Sequence, residues 1–248
     1  MSKDLFSGQS KEYALYRPTY PLELFEYILS FTEQRKAAWD CATGNGQSAV
    51  PLSHYFKKVI ASDISEKQLS EAPAKENIEY VLSPAEETPF PDNSFDLITV
   101  AQAYHWFNHQ QFYEEATRVG KPHAVVAIWM YDLIRSEEES VNKVIDFFYK
   151  EVVGPFWDKE RNHIDDHYSQ LPFLFDPLPF KEFYIRTSFT KESLKGYFST
   201  WSAVQHFIRE KGHSPIEEIE KSLDEAWMTD ESKPFNFPVY LKIGRIKK

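Results

Sequence analysis

Residues 37–47 read AAWDCATGNGQ, and the stretch KVIASD follows at 58–63. The first joins an apolar run to a loop of small residues, after which residues 48–56 (SAVPLSHYF) predict a helix. The second is another apolar run, which ends in Asp63. A strand, a glycine-containing turn, a helix and a second strand ending in an acid are typical of a nucleotide-binding βαβ unit, in which that acid can hold a ribose diol.

The loop departs from a dinucleotide-binding fingerprint in two ways. Ala42, Gly44 and Gly46 form a small-x-G-x-G pattern, and the G-x-G-x-x-G spacing is absent. Asp40 stands directly before the loop, where its charge would repel a pyrophosphate. A ligand with a cationic amino group and a ribose but no phosphates, such as S-adenosylmethionine, suits the loop better.

Residues 40–46 (DCATGNG) resemble the D/E-x-G-x-G-x-G motif of class I S-adenosylmethionine-dependent methyltransferases, with Ala42 in place of the first glycine. Asp63 matches the acid that these enzymes place on the ribose hydroxyls. Alanine at this position requires a negative φ or a small strain. The resemblance implies that the cofactor contacts in this motif are Asp40, Ala42, Thr43, Gly44 and Gly46.

Length and composition bound the function. A chain of 248 residues can bury one sizeable core, which predicts a single domain over residues 1–248. Its 28 Lys and Arg against 38 Asp and Glu give a net charge of −10, which disfavours nucleic acid as a partner. The single cysteine, Cys41, excludes an internal disulfide, fits a reducing compartment and predicts a small buried residue.

The chain shows no sign of a membrane or export segment. Its first ten residues, MSKDLFSGQS, lack the apolar centre of a signal peptide. The longest apolar run, at 124–130, is far shorter than the roughly 20 residues of a membrane span. We therefore expect a soluble, cytoplasmic protein, with no membrane partner, that is a monomer or a homodimer.

Residues 13–21 (YALYRPTYP) resemble the Y-x-x-x-R-P-x-Y-P lead of small-molecule methyltransferases such as the trans-aconitate group. That resemblance implies that residues 1–30, a lead and a helix, fold over the cofactor site. Arg17 would then pair with the methionine carboxylate, and Tyr13 or Tyr16 would cover the sulfonium, with Tyr13 also on the substrate side. The alternative is a surface arginine with tyrosines packed on the first helix.

Further cofactor contacts are expected after the second and third strands. Ile64 would lie on an adenine face or else in the core, and Gln68 lies on a helix that Ser65 can cap. The Ala85–Glu86 pair resembles the third motif of the family, in which Glu86 or the backbone of Ala85 would bind the adenine. Glu86 is also open to a simpler interpretation as a surface charge.

Residues 89–104 (PFPDNSFDLITVAQAY) closely resemble the L-P-F-x-D-x-S-F-D-x-[VI] stretch of the ubiquinone-biosynthesis C-methyltransferases and of the trans-aconitate group. The continuous apolar run at 97–101 predicts a buried strand. In the implied fold, Ala101 and Gln102 follow this strand and face the methionine part of the cofactor, because ligands bind at the carboxyl ends of parallel strands.

The loop 103–108 (AYHWFN) lies where such enzymes present substrate contacts. His105 would bind an acidic substrate or accept a proton, or it is a structural histidine; Trp106 would form a pocket wall. The helix that follows would end at Gly120 as its C-cap. We predict no metal site, because His163 and His167, which could share a helix face, lack the H-E-x-x-H pattern.

Beyond the run 124–130 the composition changes. The resemblance implies that residues 132–180 form a substrate-cap insertion, with Trp157 and Arg161 lining the pocket; a helical subdomain that buries its own aromatic residues is the alternative. Two late strand-like stretches separated by helices fit a sheet in which the last strand inserts antiparallel.

The sequence thus predicts an α/β, Rossmann-like, seven-stranded methyltransferase sheet, mostly parallel with an antiparallel last strand, helices on both faces and a helical cap. The resemblance implies S-adenosyl-L-methionine-dependent methyl transfer to a small molecule, with O-methylation of a carboxylic acid as one option. His105 and Arg17 are the catalytic candidates. A nicotinamide-dependent oxidoreductase and a non-catalytic cofactor-binding homologue are the alternatives.

Overall fold

A computed structural model describes residues 16–229 and 231–248, and strands and helices largely alternate along its first half. The strands are β1 (Ala37–Cys41), β2 (Lys58–Asp63), β3 (Ile78–Leu82), β4 (Phe95–Ala101), β5 (Gly120–Tyr131), β6 (Arg135–Ser136), β7 (Asp176–Pro177), β8 (Phe183–Phe189) and β9 (Lys233–Arg245). The α-helices are α1 (Leu22–Ser30), α2 (Ala49–Ser53), α3 (Glu66–Ser70), α4 (His109–Val119), α5 (Glu139–Phe147), α6 (Asn162–Asp165), α7 (Lys191–Ser199), α8 (Ser202–Lys211) and α9 (Glu220–Trp227). Short turns of other helix types lie at Tyr104–Trp106, Phe148–Val152, Gly154–Phe156, Lys159–Arg161 and Pro215–Glu218.

All of these strands belong to one sheet. The longer ones run in the order β3-β2-β1-β4-β5-β9-β8, and the two-residue strands β6 and β7 also pair with β9. Neighbours from β3 to β5 are parallel, whereas β9 is antiparallel to β5 and β8. Seven strands of the described chain have five residues or more, so the predicted mostly parallel sheet with an antiparallel last strand is confirmed.

Helices cover both faces of this sheet. Alternate residues of a strand point to opposite sides, so each strand packs against helices on both faces. The residues of β5 that pack in one cluster with Phe112 of α4 are Val126, Ile128 and Met130. The residues of β5 that pack in the other cluster with Phe25 of α1 are Val125, Ala127 and Trp129. A strand buried on both sides must be apolar at every position, which explains the unbroken apolar run at 124–130.

Several helices begin where a polar side chain replaces a missing backbone partner. Ser65, Asn108 and Thr190 each accept a hydrogen bond from the backbone N–H three residues ahead, and thereby cap α3, α4 and α7. The cap that the sequence predicted at Ser65 is confirmed. None of the helices in the described chain is both long and apolar enough to cross a bilayer.

Gly120 is the C-cap of α4, as the sequence predicted, and its backbone N–H donates to the carbonyl of Ala116. Its φ of −72° is that of extended chain, not of the left-handed cap that glycine often forms, and it is also the first residue of β5. A β-carbon there would lie 2.3 Å from Cδ1 of Ile246 and 2.9 Å from the carbonyl oxygen of Ala116. Close packing between helix and strand therefore explains this glycine, and a left-handed C-cap does not.

The segment after β5 packs beside the late helices. Phe148 contacts Phe198 of α7 and Trp201, at ring-centroid distances of 5.0 and 5.7 Å. The expectation that His163 and His167 share a helix face is wrong, because α6 ends at Asp165 and the chain then turns through left-handed backbone. The division into a lead over 1–30 and a cap over 132–180 stays a prediction.

Candidate active site

The loop after β1 is built from left-handed backbone. Ala42, Gly44 and Gly46 have φ values of 54°, 57° and 87°. Only glycine adopts such values without strain, so the left-handed backbone at Ala42 costs about 1–2 kcal/mol. The sequence left open a negative φ or a small strain at this position, and the structure has the strain. Gly46 does not line the cavity described next; a β-carbon on it would lie 2.9 Å from the hydroxyl of Tyr80.

Asp63 at the end of β2 fastens this loop to the next helix. Its Oδ2 accepts the backbone N–H of Gly44 at 2.8 Å, and its Oδ1 accepts that of Ser65 at 2.9 Å. The carboxylate is thus fixed in position at the mouth of the loop, where the sequence predicted a contact to a ribose.

A cavity opens where β1, β2 and β4 end; we call it the strand-end cavity. Its empty volume is about 1070 Å³ with its open mouth included, which is the size of a small-molecule or cofactor site. The predicted cofactor contacts that line it are Ala42, Thr43, Gly44, Asp63, Ile64, Gln68, Ala85, Glu86, Ala101 and Gln102. The lining residues that sequence reasoning missed are Tyr20, Asn45, Gln47, Ser48, Ser65, Ser83, Ala103 and Phe107.

Most of the missed residues are sequence neighbours of predicted ones. Their position in the same loops could therefore have identified them as lining residues. Two lining residues carry buried polar atoms without a hydrogen-bond partner among the described residues, namely Oγ of Ser48 and Oε1 of Gln102. Gln102 also has a left-handed φ of 56°. Orphaned polar atoms and strained backbone at one cavity are typical of a site that a polar ligand completes.

Asp40 lies beneath the loop and does not line the cavity. It is 1% exposed and accepts hydrogen bonds from the hydroxyls of Thr43 and Thr99. Burial raises the pKa of Asp40 to about 6, against the lowering effect of these hydroxyls. Asp40 therefore reaches the cavity lining through its hydrogen bond with Thr43, and the direct cofactor contact that the motif resemblance implied stays a prediction.

A second cavity, the aromatic cavity, adjoins the first and shares Gln102 and Trp106 with it. Its empty volume is about 600 Å³. The other predicted residues that line it are Arg17, His105, Trp157 and Arg161. The lining residues that the sequence did not suggest are Tyr131, Asp132, Leu133, Ile164, Tyr197, Trp201 and Ser202. No motif marks these last residues.

Arg161 brings a positive charge to the aromatic cavity. The side chain is 17% exposed, and its only hydrogen bond among the described residues is a long one, 3.4 Å from Nη1 to Oδ1 of Asp165. Its guanidinium lies 5.0 Å from the ring centroid of Trp157 and 5.6 Å from that of Tyr149. Aromatic faces stabilise a cation but leave its N–H groups in the guanidinium plane able to bind an anion.

Arg17 also lines the aromatic cavity. Its Nη1 donates to the hydroxyl of Tyr131 at 2.5 Å, and its Nη2 donates to the carbonyl of Thr200 at 3.1 Å. Tyr16 lies against Gly196 of α7, where a β-carbon would come within 2.5 Å of its ring, and it lines neither cavity. Tyr13 lies outside the described residues.

His105 is 6% exposed, and its Nδ1 lies 2.8 Å from the hydroxyl of Tyr168. Burial, with smaller contributions from Arg161, His163 and His109, lowers the pKa of His105 to about 3. The imidazole is therefore neutral at physiological pH and is a weak base. Within the described part of the chain, no three His, Cys, Asp or Glu side chains gather in a way that could hold a metal ion.

Comparison with known proteins gives one consistent result. A family model described as a methyltransferase domain matches residues 39–128. A protein of Dictyostelium discoideum provisionally named a methyltransferase is 36% identical, with 98% of this chain and 95% of that protein covered. A Saccharomyces cerevisiae protein, provisionally named an S-adenosylmethionine-dependent methyltransferase, is 28% identical over 57% of this chain and 51% of its own length.

A solved structure is similar over nearly the whole chain. It is that of a provisionally named type II methyltransferase from Anaeromyxobacter dehalogenans, with a TM-score of 0.86 and 35% sequence identity. The similarity covers 94% of this chain and 99% of the other. The shared fold therefore includes the segments after β5 that lie outside residues 39–128.

Proposed function

The chain belongs to the class I S-adenosylmethionine-dependent methyltransferases, and from this premise we propose that it methylates a carboxylate of a small organic acid with S-adenosylmethionine. When bound, the cofactor supplies a methyl group on a positively charged sulfur. The protein has to hold the acceptor in line with that methyl group and keep water away from it. Family membership leaves no support for the nicotinamide-dependent alternative.

The strand-end cavity suits this cofactor. The carboxylate of Asp63, which two backbone amides hold in position at this cavity, suits the hydroxyls of a ribose. The orphaned Oε1 of Gln102 is an acceptor for an ammonium group, and Oγ of Ser48 can donate to a carboxylate. Both groups are present in the methionine part of the cofactor. These residues would hold the cofactor and leave its methyl group to be supplied to an acceptor in the adjoining aromatic cavity.

Arg161 carries the assignment of the acceptor. A partly buried guanidinium beside aromatic rings, with one long ion pair, favours a further anion. A carboxylate fits it, because the planar guanidinium forms two parallel hydrogen bonds with that group. Trp106 lines both cavities, so the aromatic cavity that contains this cation adjoins the strand-end cavity.

The protonation states in the aromatic cavity favour the same acceptor class. A carboxylic acid has already lost its proton at neutral pH, so its methylation needs no base. A phenol or a carbon acid would need one, and a histidine whose pKa is about 3 removes protons poorly. His105 is therefore better suited to donate a hydrogen bond than to act as a base.

Incubation with S-adenosylmethionine and a panel of aromatic and aliphatic acids, phenols and amines tests the proposal. We expect transfer to at least one acid. Arg161→Gln should lower kcat/KM for that acid by roughly 10- to 100-fold, the effect of losing a hydrogen bond to a charged group. The matched control is Arg135→Gln, since Arg135 is 42% exposed and pairs with Asp146 away from both cavities.

Two results would contradict this function. Transfer to a phenol or an amine but to no acid would refute the acceptor class, as would an Arg161→Gln variant as active as the Arg135→Gln control. Binding of S-adenosylmethionine without transfer to any compound would instead support the non-catalytic alternative.

A further inference from the structure

Two buried side chains 63 residues apart, His105 and Tyr168, form a pair behind the lining of the aromatic cavity, and only His105 of the two lines it. His105 lies in the short turn after β4 and lines the cavity. Its Nδ1 faces the Tyr168 hydroxyl at 2.8 Å, whereas its Nε2 has no hydrogen-bond partner among the described residues. One ring nitrogen is thus bound by the protein, and the other is available to a ligand.

The surroundings of the Tyr168 oxygen decide the direction of this hydrogen bond. Burial raises the pKa of Tyr168, so the phenol keeps its proton, against the lowering effect of the Arg161 charge. Tyr168 is 1% exposed, and Nδ1 of His105 is the only hydrogen-bond partner of its hydroxyl among the described residues. The buried O–H group is therefore satisfied only if it donates its proton to Nδ1.

The backbone that carries Tyr168 is strained. His167 and Tyr168 have φ values of 51° and 55°, a left-handed pair without glycine. The His167 ring fastens this turn, because its Nε2 lies 3.0 Å from Oδ2 of Asp132 and the ring stacks on Tyr240 at a centroid distance of 3.8 Å. Strained backbone persists where surrounding contacts hold it, and it is concentrated at functional sites.

We propose that Tyr168 is a positioning residue that holds His105 in the tautomer protonated at Nε2, so that the aromatic cavity offers an uncharged hydrogen-bond donor beside the Arg161 guanidinium. That the carboxylate of the acid accepts this hydrogen bond rests on the proposed function. An uncharged donor orients a carboxylate without forming a second ion pair, so the oxygen that attacks the methyl group remains nucleophilic.

Nitrogen-15 NMR of the histidine rings tests the tautomer without any acceptor. His105 is assigned by its absence from the spectrum of His105→Gln, and spectra are recorded with and without S-adenosylhomocysteine. In the wild-type protein we expect Nε2 to carry the proton and the ring to stay neutral down to about pH 5, given the groups that lower its pKa: burial, Arg161, His163 and His109.

Tyr168→Phe should release His105 into a mixture of both tautomers. Tyr104→Phe is the matched control, because Tyr104 is a buried phenol in ring contact with Tyr168 whose hydroxyl donates to the carbonyl of Pro172. With an acid identified by the panel, Tyr168→Phe should raise KM about fivefold, since a hydrogen bond that orients the ligand is lost, with a smaller change in kcat.

A wild-type His105 protonated at Nδ1 would overturn the proposal, as would a Tyr168→Phe spectrum equal to that of the wild type. If Tyr168→Phe does not fold, the wild-type spectrum decides alone. The predicted tautomer together with no methylated acid would refute the proposed function and leave the role of Tyr168 standing.

Discussion

At the scale of single residues, Asp40 shows how tertiary packing changes the role of a motif residue. Its position before the loop suggested a charge that repels phosphate, yet the side chain is enclosed and bonded to Thr43 and Thr99. Burial makes its ionised form costly, as the pKa of about 6 indicates. The residue therefore shapes the loop at the expense of stability at neutral pH.

Asp40→Asn should make the free protein more stable at neutral pH. The pKa of Asp40 is about 6 in the folded protein, against 3.8 for an ordinary aspartate, which represents the unfolded chain. Between these pH values the folded state binds more protons than the unfolded state, so the folded state loses stability as the pH rises through this range. The variant lacks this loss. Its advantage in free energy of unfolding should grow from about pH 4 to pH 6 and reach up to about 3 kcal/mol.

Urea unfolding between pH 4 and pH 8 measures this difference. Asp96→Asn is the control, because Asp96 is also buried but pairs with Lys121 and accepts two backbone amides, so its amide variant should gain nothing. A difference between Asp40→Asn and wild type that is constant across this pH range would contradict the account of Asp40.

Asp63→Ala should weaken binding of S-adenosylhomocysteine by roughly 1.5–3 kcal/mol, the value of a hydrogen bond to a charged group. The variant removes the proposed ribose acceptor and also leaves the amides of Gly44 and Ser65 without their partner. Titration calorimetry measures the dissociation constant. Asp92→Ala, which removes an exposed acid paired with Arg118, should leave it unchanged; equal affinity in the two variants would refute the role of Asp63.

At the scale of helices and strands, the pattern of apolar residues predicted most of what is observed, since burial on one or both faces is visible in the periodicity of a short window. The ends of these helices and strands were predicted less well. Gly120 is the predicted C-cap of α4, but it lacks the left-handed backbone for which a helix end often selects glycine. The reason for this glycine is the approach of Ile246, which is 126 positions away and invisible to a local pattern.

Gly120→Ala tests whether close packing against Ile246 explains this glycine. Alanine tolerates a φ of −72°, so relief of chain entropy alone would stabilise the protein by about 0.4–1 kcal/mol. We expect the opposite, a loss of about 1–3 kcal/mol in chemical denaturation, because the added methyl group overpacks the contact. Gly154→Ala should be close to neutral, since the nearest atom to its β-carbon would be 3.6 Å away.

At the scale of the whole molecule, one edge of the sheet supplies both cavities. The loops after β1, β2 and β4 form the strand-end cavity, and the segments after β5 complete the aromatic cavity beside it. Gln102 and Trp106 belong to both, so a ligand in one cavity lies next to a ligand in the other. This arrangement is the one that a transfer reaction between two ligands requires.

Ligand binding at the centre of the sheet should stabilise the whole fold. S-adenosylhomocysteine or S-adenosylmethionine at about a hundred times its dissociation constant should add about 2.7 kcal/mol to the free energy of unfolding, and thermal denaturation should shift upward accordingly. NADH at the same concentration should cause no shift. An equal shift with NADH would show that the strand-end cavity does not distinguish the two ligands.

By itself, the sequence determined the sheet, its antiparallel last strand and most residues of the strand-end cavity. These follow from short patterns, because a strand, the loop at its carboxyl end and the first turn of a helix are consecutive in the chain. Only the tertiary structure decided the aromatic cavity, the burial of Asp40 and the pairing of Tyr168 with His105. Desolvation and contact between side chains depend on which distant segments pack together, and no local window of sequence contains that information.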